Sequence, residues 1–192
     1  MRTATRLLNA ALIAGAGLLA ATAVQADRPA GFAPALELGA QRLAIRGSGT
    51  AYYALLFRVY DAALYAPAGS QVADLVDGSA PRCLQIEYRR AVTRDIIVEA
   101  ADTVLRRQGV PVAPLQARLD RLNAAYRDVG PGDRYQLCYA PGTDTLLALN
   151  GQELIRIPGD DFAVAYFGIW LGAGAISEDL RSALLGDAGS TT

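Results

Sequence analysis

The sequence predicts an α+β fold: an antiparallel β-sheet with helices packed on one side. Three observations predict it. Runs with period-two alternation cluster early and again late in the chain. Two helical stripes lie between the clusters, and two capped helical segments close the chain. A strong two-residue hairpin signal, Asn150-Gly151, joins the last two strand-like runs.

The first 26 residues are set apart from that fold. Arg2 and Arg6 precede an almost wholly apolar run from Leu7 to Ala23. Val24-Gln25-Ala26 then offers small residues where a signal peptidase reads, so cleavage is expected after Ala26. The apolar run is short for a membrane span and no basic stop-transfer flank follows it. The expected mature chain, residues 27–192, is one domain in the periplasm or secreted, with no stable membrane span.

Asp27 to Pro34 is a loose Pro/Gly/Ala-rich lead-in. Gln41 to Arg46 alternates and reads as a short strand. Gly47-x-Gly49 lacks the rest of a phosphate-binding fingerprint and reads as a hairpin turn within Arg46 to Thr50. Ala51 to Ala66, rich in aromatic and branched residues and apolar on both faces, reads as one long strand covered on both sides. Pro67 to Pro81 is a connection with a short helical turn at Val72 to Val76.

Arg82 to Arg90 is the next strand. Thr93 caps a helix in which Ile96, Ile97, Ala100, Val104 and Leu105 form the apolar stripe, and Gly109 ends it. Pro114 opens a second helix through Leu115, Leu119, Leu122 and Tyr126. Strands at Arg134 to Ala140, Thr145 to Leu149 and Gln152 to Ile157 follow the turn Gly130 to Asp133. Asp160 or Asp161 caps a helix to Leu171. Ser177 caps a last helix ending near Gly186, and residues 187–192 form a polar tail.

Composition excludes several functions. The chain carries 18 basic and 19 acidic residues, and every basic one is Arg. With no basic run, nucleic acid is not an expected partner. The chain has no His, which removes Ser-His-Asp and Cys-His catalysis. It also removes the commonest metal ligand, and neither a metal nor any other cofactor is expected.

Two cysteines remain, Cys83 and Cys138. Each falls on the more polar face of its strand, opposite Leu84, Ile86 and Tyr88 in one and Tyr135, Leu137 and Tyr139 in the other. In an exported protein they are expected to form a disulfide if the strands are neighbours. The pairs Asp160-Asp161 and Glu99/Asp102 read as a helix cap and a solvated ion-pair face rather than sites. Arg58 on a covered strand needs a partner. Asp61, Glu87 or Asp144 could supply it, as could the acid group of a ligand, or the Arg head could reach water at the sheet rim.

Four segments in this order and spacing resemble the bacterial chalcone isomerase-like proteins, a family usually exported. They are LLFRVYDAALYAP (Leu55 to Pro67), LQARLDRLNAAYRDVGPGD (Leu115 to Asp133), YAPGTDTLLALNG (Tyr139 to Gly151) and IPGDDFAVAYFGIWLG (Ile157 to Gly172). The resemblance covers roughly Arg42 to Gly186. It implies a long curved antiparallel sheet, an open-faced β-sandwich with helices layered on one face, and a cleft between the two. It also implies two precedents: ring closure of a chalcone by intramolecular addition, and fatty-acid binding in the same cleft.

The family's enzymes place an Arg after a Gly-rich turn and a Thr on the following strand. Here Gly47-Ser48-Gly49-Thr50-Ala51-Tyr52 has no Arg after the glycines, and Tyr60 stands in the Thr column. The resemblance therefore implies a non-catalytic protein that binds a small amphipathic or hydrophobic molecule, with Arg46, Tyr52, Arg58 and Tyr60 as candidates for its polar end. The alternative is an intramolecular lyase or isomerase acting on a chalcone-like enone, with Tyr60 as acid and an Arg as electrostatic stabiliser; no catalytic residue is assigned.

Overall fold

A computed structural model describes residues 31–54 and 56–186. The expected export segment and the polar tail lie outside the described residues. Among those described, no helix is long and apolar enough to cross a membrane.

Seven strands form one antiparallel sheet in chain order, curled into a half-barrel. They are β1 (Ala35–Leu38), β2 (Gln41–Tyr53), β3 (Phe57–Ala66), β4 (Arg82–Tyr88), β5 (Arg134–Tyr139), β6 (Thr145–Leu149) and β7 (Gln152–Ile157). Helix α1 (Val72–Asp77) links β3 to β4. Helices α2 (Arg94–Arg107) and α3 (Gln116–Ala125) lie between β4 and β5, and α4 (Asp160–Leu171) and α5 (Glu178–Leu185) follow β7. Each strand pairs with its sequence neighbour, so no connection crosses the sheet.

The inner face carries Ala62, Leu64, Leu84, Ile86 and Leu137. They join Leu105, Leu119, Leu122, Phe162 and Phe167 of the helices in the main core. The outer face carries a smaller apolar cluster of Leu43, Ala63, Tyr65, Cys83 and Cys138, with Phe32 and Leu36 against it. Cys83 and Cys138 are direct partners across β4 and β5 and form a disulfide. The alternation read from these two strands is therefore the alternation they adopt. Closing a loop of 55 residues stabilises by about 4 kcal/mol in the chain-entropy account.

The glycines at 47 and 49 do not turn the chain. They lie inside β2, and the hairpin turn falls instead at Ala54, whose φ is 50°. The expected single strand Ala51 to Ala66 is thus divided between β2 and β3, and its start is not covered. The physical reason is α5. A Cβ at Gly47 would fall on the Ala183 and Leu184 carbonyls, and one at Gly49 would lie 2.9 Å from the Ala183 Cβ. The helix backbone rests on the strand backbone, and only residues without a side chain admit it.

Three smaller differences follow from packing. Ala35 to Leu38, given no element by its sequence, pairs with β2. Ile96 points outward although it fits the α2 stripe, and Ala101 takes the buried place. Gly159, not an Asp, occupies the N-cap of α4. Asp161 in the first turn instead receives Nη1 and Nη2 of Arg118 at 2.7 and 2.6 Å. Thr93 and Ser177 do cap α2 and α5 with their hydroxyls.

Gly47→Ala should cost about 2–3 kcal/mol, since the clash is with backbone that cannot rotate away. Gly130→Ala, whose added Cβ meets only Asp133 at 3.8 Å, should cost well under 1 kcal/mol. Urea unfolding midpoints of the two variants check this.

Candidate ligand site between sheet and helices

The cleft between the inner face and the helices is walled by side chains from β4, β5, β6, α2, α4 and the end of α3. Leu84, Ile86, Leu137 and Leu147 form its apolar floor, and Ile97 and Trp170 close it from the helix side. Its cavity is about 20 Å³, room for about one water. Tyr88, Tyr126 and Tyr135 complete the lining.

These tyrosines belong to a chain of aromatic rings. Tyr60 and Tyr88 have centroids 5.7 Å apart, Tyr88 and Tyr135 6.2 Å, and Tyr126 and Tyr135 5.1 Å. Their hydroxyls are mostly engaged. Trp170 Nε1 donates to Tyr60 Oη at 3.1 Å, and Tyr126 and Tyr166 share a hydrogen bond of 2.8 Å. Tyr135 Oη accepts from Arg127 N at 2.8 Å and donates to Arg127 O at 3.1 Å. The Tyr88 hydroxyl, on a buried residue that lines the cavity, makes no hydrogen bond among the described residues.

Burial raises every one of these phenols. It pushes Tyr60 up to about 12, against a lowering by the Trp170 bond. It takes Tyr88 and Tyr126 well above the usual value and raises Tyr135 and Tyr166 as well. All five stay protonated at neutral pH, and no charged side chain lines the cavity. The cleft is therefore apolar, aromatic and uncharged.

None of the four side chains expected to hold a ligand's polar end lines the cavity; Tyr60 comes nearest, on the inner face against Tyr88 and Trp170. Arg46 sits at a bulge in β2, with Nε on Leu185 O at 2.9 Å and Nη1 on Ser70 O at 3.1 Å. It thus caps the carbonyl end of α5. Tyr52 is exposed near the β2–β3 turn. Arg58 lies on the outer face, and a bulge explains why. Tyr60 pairs with Ala51 but Arg58 with Tyr52, leaving Val59 as an extra residue packed inward. Arg58 and Tyr60, two apart in sequence, thus point to opposite faces.

On the outer face Thr50, Asp61, Glu87 and Arg134 stand in one cross-strand row. Asp61 has no exposed surface. Its Oδ1 accepts from Thr50 at 2.7 Å and from Arg58 Nε at 2.9 Å. Its Oδ2 accepts from Arg58 Nη2 and from Arg89 Nε at 2.7 Å. Glu87 bridges Arg89 at 2.6 Å and Arg134. Asp61 is one of the carboxylates expected for Arg58. Beside this row an open groove of about 350 Å³, bounded by polar residues such as Gln85, Gln136 and Asn150, lies over the sheet. It has no apolar wall to hold a hydrophobic guest.

The sequence model of the chalcone isomerase-like family matches residues 28–186. The chain belongs to the chalcone isomerase-like family. A solved fatty-acid binding protein of Arabidopsis thaliana is similar to it with a TM-score of 0.65 at 13% identity, over 83% of this chain and 93% of that one. At that identity the likeness establishes the shared fold. No curated protein matches by sequence. In this member of the family the cleft's polar lining is Tyr88, Tyr126, Tyr135 and Trp170. Their sequence positions read as core, and only strand register and helix packing reveal that they face one space.

One further buried side chain had no signal in the sequence. Arg82 at the start of β4 is fully buried, with its guanidinium 4.5 Å from the Phe167 ring centre and 5.0 Å from that of Tyr139. Nη2 donates to Ala163 O at 3.3 Å, while Nε and Nη1 have no partner among the described residues. Burial lowers its pKa to about 10 despite opposing interactions with Tyr139 and Asp77. The ionised group is thus a net cost at neutral pH. Arg82→Met should leave stability unchanged or raise it, whereas Arg82→Ala, which leaves a void, should lower it by about 2–4 kcal/mol. Guanidinium unfolding curves distinguish the two.

Burial alone would raise the Asp61 carboxyl, but the hydrogen bonds from Arg58, Thr50 and Arg89 outweigh it and hold the group below its ordinary value. A depressed carboxylate contributes stability that is complete above the unfolded value, about pH 4, and is lost as pH falls through the native value. Thermal midpoints from pH 7 to pH 2 should therefore fall for the native chain below about pH 4. For Asp61→Asn they should start lower at pH 7 and decline less steeply.

Proposed function

We propose that this chalcone isomerase-like protein is an exported, non-catalytic binder of a small hydrophobic or amphipathic molecule, such as a fatty acid, held in the cleft between sheet and helices. The single observation that carries the reading is an uncharged aromatic cleft lined by Tyr88, whose hydroxyl makes no hydrogen bond among the described residues. An acceptor on a ligand could take the hydrogen bond that this phenol does not make within the protein, worth about 0.5–1.5 kcal/mol. The structural neighbour from Arabidopsis thaliana, a fatty-acid binding protein, supports the same ligand class. The apolar leader to Ala26 supports export.

The cavity as it stands takes a water, not an acyl chain. Binding therefore requires α2, which carries Ile97, or α4, which carries Trp170, to move outward. Each CH₂ buried returns about 0.8 kcal/mol, so the tail dominates the affinity and Tyr88 orients the polar end. Tyr60 stands in the same ring chain. Arg46 and Arg58 could reach an acid group only by leaving Leu185 O and Asp61. The uncharged lining favours a neutral head, so a fatty acid would enter in its protonated form and an alcohol would suit it as well.

The lyase reading asks Tyr60 to exchange protons near neutral pH. With its pKa pushed up to about 12 by burial, Tyr60 lies far from the range that suits a general acid near neutral pH.

Trp170, the chain's one Trp, reports on the cleft. Titration with dodecanol should give a saturable change in its fluorescence, and native mass spectrometry should show one added mass. Dodecanoate at pH 8 should bind no tighter than dodecanol. Tyr88→Phe should weaken dodecanol about fivefold, the loss of one neutral hydrogen bond. Absence of both added mass and saturable change with either probe overturns the reading.

A further inference from the structure

The described residues expose five large apolar side chains, and four of them share one hairpin turn. Leu56 is 81% exposed, Tyr53 71%, Tyr52 58% and Phe57 48%. The turn holds Ala54 at a positive φ, closed by a bond from Leu56 N to Tyr53 O at 3.3 Å. An αL alanine costs about 1 kcal/mol or more, so the tip is held in a conformation its sequence does not favour. An apolar turn presented to water at such a cost needs a reason outside the fold.

Basic groups surround the turn. The Arg90 guanidinium lies 5.2 Å from the centre of the Phe57 ring and pairs with no carboxylate among the described residues. Arg58 follows Phe57 directly, and Arg89 N is bonded to Val59 O at 2.8 Å. Arg58, Arg89 and Arg134 share two carboxylates, Asp61 and Glu87. Arg90 adds a cation beside that network, with no carboxylate partner among the described residues.

We propose that the β2–β3 turn docks on an anionic phospholipid surface, with Tyr53, Leu56 and Phe57 entering the headgroup boundary while Arg58 and Arg90 meet lipid phosphates. Tyr and Phe beside Arg are side chains suited to such a boundary, where one end is apolar and the other wet. Area argues against a stable protein partner on the tip alone. Four side chains of at most about 250 Å² each, none wholly exposed, present less than the about 800 Å² per partner of a specific protein interface. The charge argues for acidic lipid over neutral lipid, since each basic residue near an anionic surface adds attraction that salt weakens. The fifth exposed apolar side chain, Ile96, is next in sequence to Ile97 of the cleft. Docking nevertheless rests on the turn alone and holds whether or not the cleft takes a ligand.

The test places a reporter in the turn of the full chain. In Leu56→Trp the new indole should shift to the blue on vesicles of phosphatidylglycerol and be quenched by brominated acyl chains. Partitioning onto phosphatidylcholine vesicles should be at least tenfold weaker, and 0.5 M salt should reduce the anionic binding several-fold. Arg90→Gln should weaken it about fivefold, and Tyr53→Ser/Leu56→Ser/Phe57→Ser should remove insertion without moving the thermal midpoint. An apolar N-terminal segment that bound the bilayer by itself would leave the residue-56 reporter unshifted, so sedimentation with vesicles without quenching overturns the proposal. So does equal partitioning onto both lipids, or a cross-link from position 56 to a protein with no vesicle response.

Discussion

A carboxylate without exposed surface stands in the middle of the sheet, and much of the charge arrangement follows from it. Asp61 lies on β3 between Thr50 and Glu87, and a buried anion there is tolerable only if its oxygens are filled. Thr50, Arg58 and Arg89 fill them. Arg58 reaches Asp61 because the bulge at Val59 turns it to the outer face, and the same bulge leaves Tyr60 facing inward. One extra residue in a strand thus separates cations from phenols. The outer face receives the ion pairs, and the cleft receives tyrosines that burial keeps neutral.

The strand faces were legible wherever alternation ran unbroken. β4 and β5 read correctly because Leu84, Ile86 and Tyr88 oppose Cys83, Gln85 and Glu87 without interruption, and the disulfide follows from that parity. Caps were legible at Thr93 and Ser177 because a hydroxyl at an N-cap acts locally. Gly47 and Gly49 were not. Glycine signals a turn and a close approach equally, and the group that decides between them, the α5 backbone, lies more than a hundred residues on in the chain. Asp61 was among the partners expected for Arg58, but the face that Arg58 takes was not legible, because a bulge inverts parity and nothing in Phe57-Arg58-Val59-Tyr60 announces one.

The site was legible as a cleft but not in its chemistry. Tyr60, named from its place in the family's pattern, stands beside the cleft against Tyr88 and Trp170 without lining it. Tyr88, Tyr126, Tyr135 and Tyr166 sit on four different elements and looked individually like core. Register brings the first three ring to ring, and α4 adds Tyr166 and Trp170 from above. A tyrosine on an apolar face carries the same sequence signal whether its hydroxyl is satisfied or waiting, so only coordinates separate Tyr88 from Tyr135.

A closed cleft is compatible with a binding protein if the closed state is only modestly preferred. The aromatic rings that fill it are worth about 0.5–1.5 kcal/mol per pair beyond their burial, and a guest must replace part of that packing. An acyl chain offers about 0.8 kcal/mol for each CH₂ it buries. The exchange thus favours the guest only beyond a few methylenes, and affinity should then climb with chain length until the opened cleft is full. Closure in the absence of a guest also keeps Leu84, Ile86 and Leu137 out of water, where an open greasy floor would invite aggregation. The same packing that excludes solvent therefore sets the minimum size of what can enter.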